Sequence, residues 1–173
     1  MQGILIIVDM QRDFVDGALG TPEAASIVPA VARKIRAFEG DLFVTLDTHD
    51  EQYPETSEGI HLPVPHCIKG TEGWLLDRAI EAALKEKSYT AVEKPTFGSI
   101  RLPELIRAKY GSTPPAIELC GLCTDICVIS NALLLKAHFP ETKISVDPTC
   151  CAGVTPESHA AALTAMKMCQ ITM

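Results

Sequence analysis

The sequence predicts a single three-layer α/β/α domain built around a mainly parallel sheet of about six strands. Three observations carry this expectation. Short apolar runs of strand length alternate with segments of helical periodicity along the chain, the pattern of a parallel sheet covered by helices. The first run, Ile4-Leu5-Ile6-Ile7-Val8, is apolar at every position and so reads as a strand buried on both faces. No repeat, low-complexity tract or linker divides the 173 residues, so residues 1–173 read as one domain.

Strand one is expected over Gly3–Asp9. A helix follows, with Thr21 as N-cap, Pro22 at its first position and Gly40 beyond its end. Ala24, Ile27, Val28, Val31, Ile35 and Phe38 fall three and four apart and form its apolar face. Strand two is Leu42–Leu46. A long polar loop runs from Asp47 to about Gly70, a length that in a compact domain usually serves function. Thr71 is expected to cap a helix carrying Trp74, Leu75, Ala79, Ala82 and Ala83. Strand three is Tyr89–Lys94, followed by a short helix over Leu102–Tyr110 that stops at Gly111. Strand four is Ala116–Gly121, and an apolar helix spans Asp125–His138. Strand five is Lys143–Val146. Thr155 and Pro156 begin a last helix to about Met168, and Gln170–Met173 is expected to add a sixth strand.

Composition narrows the function. Hydrophobic residues make up 47% of the chain, which excludes a disordered protein. A net charge of -7 gives no electrostatic footprint for nucleic acid or an anionic membrane. The apolar N-terminal run lacks a preceding cationic region and meets Asp9 at once, so it reads as a strand and not as a signal peptide. Seven scattered cysteines are then expected to be reduced thiols in the cytoplasm.

Chemistry concentrates at three strand ends. Asp9 closes an otherwise apolar strand, where a carboxylate is costly unless it is used or paired. Lys94 precedes Pro95 at the end of strand three. Cys127 lies in the first turn of the helix after strand four, where free backbone N–H groups and the helix dipole favour a thiolate and can hold an oxyanion. Ligands of open parallel sheets bind outside the carboxyl ends of the strands. A base, an ammonium clamp and a nucleophile are therefore expected to converge on one pocket. Each residue also has a plainer reading: a packed thiol, a strand-end carboxylate bonded to a loop, a solvated lysine. Cys120 and Cys123 form a C-x-x-C, a redox or zinc spacing with no second pair to complete it. In the long loop, Asp47 and His49 are two apart and share one side of an extended backbone. With ligands drawn from Glu55, Glu58, His61 and His66, they suit zinc, iron or manganese; the alternative is an ordinary polar loop.

These motifs resemble the isochorismatase-like cysteine hydrolases, and among them the nicotinamidases, over nearly the whole chain. Val8-Asp9-Met10-Gln11-Arg12-Asp13-Phe14 is similar to the family's D-x-Q-x-D-F, and Glu93-Lys94-Pro95-Thr96-Phe97 to its lysine segment. Gly121-Leu122-Cys123-Thr124-Asp125-Ile126-Cys127-Val128 resembles its long nucleophile turn, and Pro65-His66-Cys67 its metal loop. The resemblance implies a Rossmann-like strand order 3-2-1-4-5-6 and a catalytic triad of Asp9, Lys94 and Cys127. It also implies a cis peptide at Leu122–Cys123, with the N–H groups of Cys123 and Cys127 as the oxyanion hole. Phe14 becomes a substrate-binding wall. Asp47, His49, His66 and, with His61 as competitor, Glu58 become ligands of one divalent metal, zinc first, with no organic cofactor.

The implied reaction is hydrolysis of a small carboxamide, nicotinamide or a similar amide, to the acid and ammonia through a thioester. A homo-oligomer is expected. Two departures bear on the substrate: Thr48 and the segment Leu62-Pro63-Val64-Pro65-His66 lack the tryptophans that nicotinamidases commonly place there. A metal-free amidase acting on a carbamoyl or ureido compound is the nearest rival, and a non-catalytic scaffold of the same fold is the rival from another class. The vinyl-ether hydrolysis of isochorismatases proper is disfavoured by Cys127, which those enzymes generally lack.

Overall fold

The computed structural model describes residues 3–173. Five parallel strands form the sheet: β1 (Ile4–Val8), β2 (Asp41–Asp47), β3 (Tyr89–Lys94), β4 (Ile117–Leu122) and β5 (Ile144–Ala152). Their spatial order is β3-β2-β1-β4-β5. The winding reverses between β1 and β4, which pair from Ile4↔Ile117 to Val8↔Gly121. Every residue of β1 is fully buried, as an all-apolar central strand requires.

Helices α1 (Arg12–Val15), α2 (Pro22–Ala37), α3 (Ser57–His61), α4 (Arg78–Leu84), α5 (Arg101–Tyr110), α6 (Ile129–His138) and α7 (Pro156–Met168) complete the domain. Helix α2 starts as its sequence dictates: the Thr21 hydroxyl accepts from the Ala24 N–H at 3.0 Å, and Ile27, Val31 and Ile35 are buried. Among the described residues no helix is long and apolar enough to cross a membrane.

Three expectations need correction. Gln170–Met173 does not form a sixth strand; Thr172 makes one bridge to Ser145, with two backbone bonds to Ile144 and Val146. Gln170 adopts a left-handed φ of 64°, which breaks the extended run before a ladder can build. Strand β5 continues beyond Val146 to Ala152 through a register shift opposite Leu119–Gly121, the irregularity that tolerates Pro148 inside a strand. The helix expected from Thr71 begins only at Arg78, where the Asp77 carboxylate caps the N–H groups of Ala79 and Ile80. Residues 73–76 pair instead with the segment after β1: Arg12 N–H donates to Leu75 O, Asp13 N–H donates to Gly73 O, and Gln11 bridges Leu76.

Candidate functional site

Four strands deliver polar side chains to one end of the sheet. Asp9 follows β1 with a left-handed φ of 46°, a conformation a non-glycine residue adopts only under local constraint. The constraint comes from β2: the Asp9 N–H donates to the Thr45 hydroxyl at 3.2 Å, and that hydroxyl donates back to Asp9 Oδ1 at 2.6 Å. Lys94 ends β3 in register with Asp47 at the end of β2. Cys127 lies in a one-turn π-helical segment, Thr124–Val128, that joins β4 to α6. The peptide Leu122–Cys123 is cis, as the resemblance implied. Gly121 has φ 117°, and a Cβ there would lie 2.2 Å from the Val8 carbonyl oxygen. Only glycine lets β4 approach β1 this closely where the turn begins.

The three expected catalytic side chains meet. Lys94 Nζ is 2.7 Å from Asp9 Oδ2 and 3.5 Å from Cys127 Sγ, and it also reaches Asp47 Oδ1 at 3.1 Å. Lys94 is 1% exposed and Asp9 fully buried, so this is a charge cluster withdrawn from water. Burial opposes the Lys94 charge, but Asp9, Cys127 and Asp47 outweigh it and raise its pKa, so the ammonium is retained. Burial pushes Asp9 up and Lys94 pulls it back. For Cys127, burial and the neighbouring Asp9 raise the pKa well above the usual thiol value against Lys94, and a hydrogen bond to Asp9 adds to the rise. Burial and Asp9 thus oppose a stored thiolate at Cys127, while Lys94 favours one.

Beside the thiol stands a second cluster. One ligand atom each from Asp47, His49, Glu58 and His66 lies within 4.8 Å of every other. His49 Nε2 is 3.0 Å and His66 Nε2 3.5 Å from Asp47 Oδ2, and the same two nitrogens lie 3.9 and 3.6 Å from Glu58 Oε1. The supports are specific. His66 Nδ1 faces the Val64 carbonyl at 2.8 Å, which leaves Nε2 directed into the cluster. Tyr53 packs edge-on against both imidazoles, with ring centroids 4.7 and 5.0 Å away. Helix α3, capped by Thr56, carries Glu58 into place, while His61 is exposed and its Nδ1 faces Ser57 O. Glu58, and not His61, completes the group.

This donor set fits a divalent cation. Two carboxylate oxygens and two imidazole nitrogens converge on one largely buried point. The group also demands positive charge: burial lowers the pKa of His66, yet Asp47 and Glu58 push it up to about 10. Asp47, opposed by burial, is held below the usual carboxylate range by His49, His66 and Lys94.

Cys127 and the metal-suited group line one cavity of about 940 Å3, together with Phe14 and Cys123. The Phe14 ring lies 5.4 Å from that of His66. Several supporting residues were not foreseen. Gln11, fully buried, donates to Asp47 O and Trp74 O at 2.9 Å and accepts from Asp47 N–H at 2.7 Å, tying β1 to β2. Asp13 accepts from the Cys67 N–H at 2.8 Å and so holds the loop carrying His66. Thr124 meets His159 Nδ1 of α7 at 2.8 Å, and Asp125 accepts from Val154 N–H, fixing the turn that carries the thiol.

A buried thiol, carboxylate and ammonium at the switch point of a parallel α/β sheet define a cysteine-hydrolase type of site. Residues 3–173 match the Isochorismatase domain family, and the chain belongs to that family. It is 33% identical over 176 residues to PncA of Bacillus subtilis, an uncharacterised isochorismatase family protein, across 94% of this chain and 93% of the relative. It is 27% identical to the nicotinamidase/pyrazinamidase of Mycobacterium tuberculosis, across 98% and 96% of the two chains. The pyrazinamidase of Pyrococcus horikoshii, solved in complex with zinc, superposes with a TM-score of 0.81 at 26% identity, covering 99% of this chain and 98% of that one. The nicotinamidases of this family are amidohydrolases that act on C–N bonds.

Proposed function

We propose that this protein is a cysteine amidohydrolase that converts a small carboxamide, nicotinamide or a close relative, to the acid and ammonia. The observation that carries the reading is a thiol, Cys127, that meets Lys94 and its ion-pair partner Asp9 and lines one cavity with a metal-suited group.

Asp9 takes the Cys127 proton as sulfur attacks the amide carbonyl, so the buried thiolate never has to exist unpaired. The N–H groups of Cys123 and Cys127 stabilise the tetrahedral oxyanion. Protonated Asp9 then gives its proton to the departing nitrogen; the C–N bond breaks, ammonia leaves and a thioester remains. Asp9 next removes a proton from water, which attacks the thioester carbonyl. The C–S bond breaks, the acid leaves, and Cys127 recovers its proton from Asp9. Lys94 offsets the charge carried in turn by Asp9 and sulfur. Asp47, His49, Glu58 and His66 would hold a divalent ion, zinc first, which would supply a Lewis acid toward a donor atom of the substrate.

Seven unpaired cysteines suit a reducing compartment, and this reading places the enzyme in the cytoplasm. The test is ammonia release from nicotinamide by metal-loaded protein, repeated after chelation. The reading expects turnover that falls on chelation. Turnover undiminished by complete metal removal favours the metal-free amidase, and no ammonia from nicotinamide or other small carboxamides overturns the proposal.

A further inference from the structure

The cavity is larger than a single-ring amide needs. Nicotinamide has about nine non-hydrogen atoms, and even at the roughly 30 Å3 that a water molecule occupies in the liquid, each atom counted so generously, it fills less than about 300 Å3. Roughly two thirds of the 940 Å3 is left over. Ligand pockets of that full size, near the top of the roughly 300–1,000 Å3 range, suit drug-sized molecules.

The surplus space has a distinct character. The thiol and the metal-suited group lie at its buried end. Toward solvent it is walled by Leu19, Leu62, Phe97, Ile126 and Val154. Leu62, Phe97 and Val154 are 37%, 46% and 49% exposed, so the rim shows apolar surface to water. Apolar patches around a concave site mark a place that something apolar covers. Thr48 also lines the cavity, its hydroxyl donating to Leu46 O at 2.9 Å and accepting from the Trp74 N–H at 3.0 Å.

Resting on the amidase reading, we infer that the substrate is a carboxamide bearing a second, apolar group, and that Phe97, Val154 and Leu62 receive this group. The reaction is unchanged: water cleaves the C–N bond to give the acid and ammonia. The apolar group adds binding at the rim and determines which amides are preferred.

The test compares kcat/KM for nicotinamide with that for the better of 5-phenylnicotinamide and 6-phenylnicotinamide, by ammonia release from the metal-loaded protein. A favourable apolar subsite raises kcat/KM for the phenyl compound by about tenfold or more. Phe97→Ala and Val154→Asp each cut that preference to about threefold or less, mainly through KM. Turnover of nicotinamide with no preference for the phenyl compounds overturns this inference and leaves the amidase reading standing. Turnover of neither, and of no other small carboxamide, removes both. If the rim variants dissociate an oligomer while selectivity is unmoved, the rim belongs to a second copy of the chain and the inference is wrong.

Discussion

Lys94→Met removes the cation on which Asp9, Asp47 and Cys127 all depend. The ammonium is 1% exposed and lies 2.7 and 3.1 Å from two carboxylates that are themselves nearly inaccessible. Breaking a buried pair by deleting one partner costs about 3–5 kcal/mol, because the charge left behind cannot recover its hydration. In a chain of this length each kcal/mol shifts the melting temperature by about 2–4 °C, so a fall of roughly 6–20 °C is expected. The loss should depend on pH. Without Lys94, burial raises the Asp9 carboxyl further above its unfolded value. The folded state then binds more protons than the unfolded one, and stability falls as pH rises through that interval. The deficit is therefore smaller at pH 5 than at pH 8. Asp9→Asn combined with Lys94→Met removes both charges and should melt above Lys94→Met alone. Thermal unfolding of the three proteins by circular dichroism decides the matter. A Lys94→Met protein as stable as wild type, or a double variant weaker by the sum of its parts, would refute a charge clamp.

Metal uptake should release protons, because His66 is held near pKa 10 by Asp47 and Glu58 until a cation replaces its proton. Calorimetry in two buffers should show about one proton released near pH 8, with affinity falling about tenfold per pH unit between pH 9 and 7. This competition begins well above the pH 6 that free imidazoles would suggest, and a flat profile would contradict it. Gly121→Ala drives a Cβ into the Val8 carbonyl at a φ of 117° and should cost about 3 kcal/mol or more in urea unfolding; an unchanged midpoint would rule out the close approach. Lys34 pairs with Asp147 at 2.7 Å and Glu118 at 2.9 Å in a partly solvated network. Burial opposes the Asp147 charge, but Lys34 and Thr149 hold its pKa down at about 2. Its contribution, about 0.5–1 kcal/mol after solvent screening, is present above pH 4 and lost as pH falls toward 2. Asp147→Asn should thus lower the urea midpoint at pH 6 and progressively less below pH 4.

The strand ends were legible because a lone charged or thiol group after an apolar run has few cheap fates in a parallel sheet. Asp9, Lys94 and Cys127 all stood out in this way. The spacing of Asp47 and His49 put them on one side of the backbone, and the family resemblance was needed to read them as ligands. Glu58 was harder, since its position depends on α3, a helix inside what reads as loop, packed where Gly59 meets the Tyr53 carbonyl. Trp74 was misassigned to a helix because the pairing of residues 73–76 with 11–13 is long-range. Thr45 and Gln11 act across strands, and His159 acts across layers, so local pattern does not reveal them. Thr45 did leave a signal, as a hydroxyl within the apolar run Leu42–Leu46.

The most direct test of the central claim is to trap the acyl-enzyme. Metal-loaded protein mixed with nicotinamide, quenched in acid within its first turnovers and digested for peptide mass analysis, should carry the acyl group on Cys127. Asp9→Asn should form it more slowly, and Cys127→Ala should show neither adduct nor ammonia. An adduct on Cys123 or Cys67, or steady ammonia release by Cys127→Ala, would contradict the assignment of Cys127 as nucleophile.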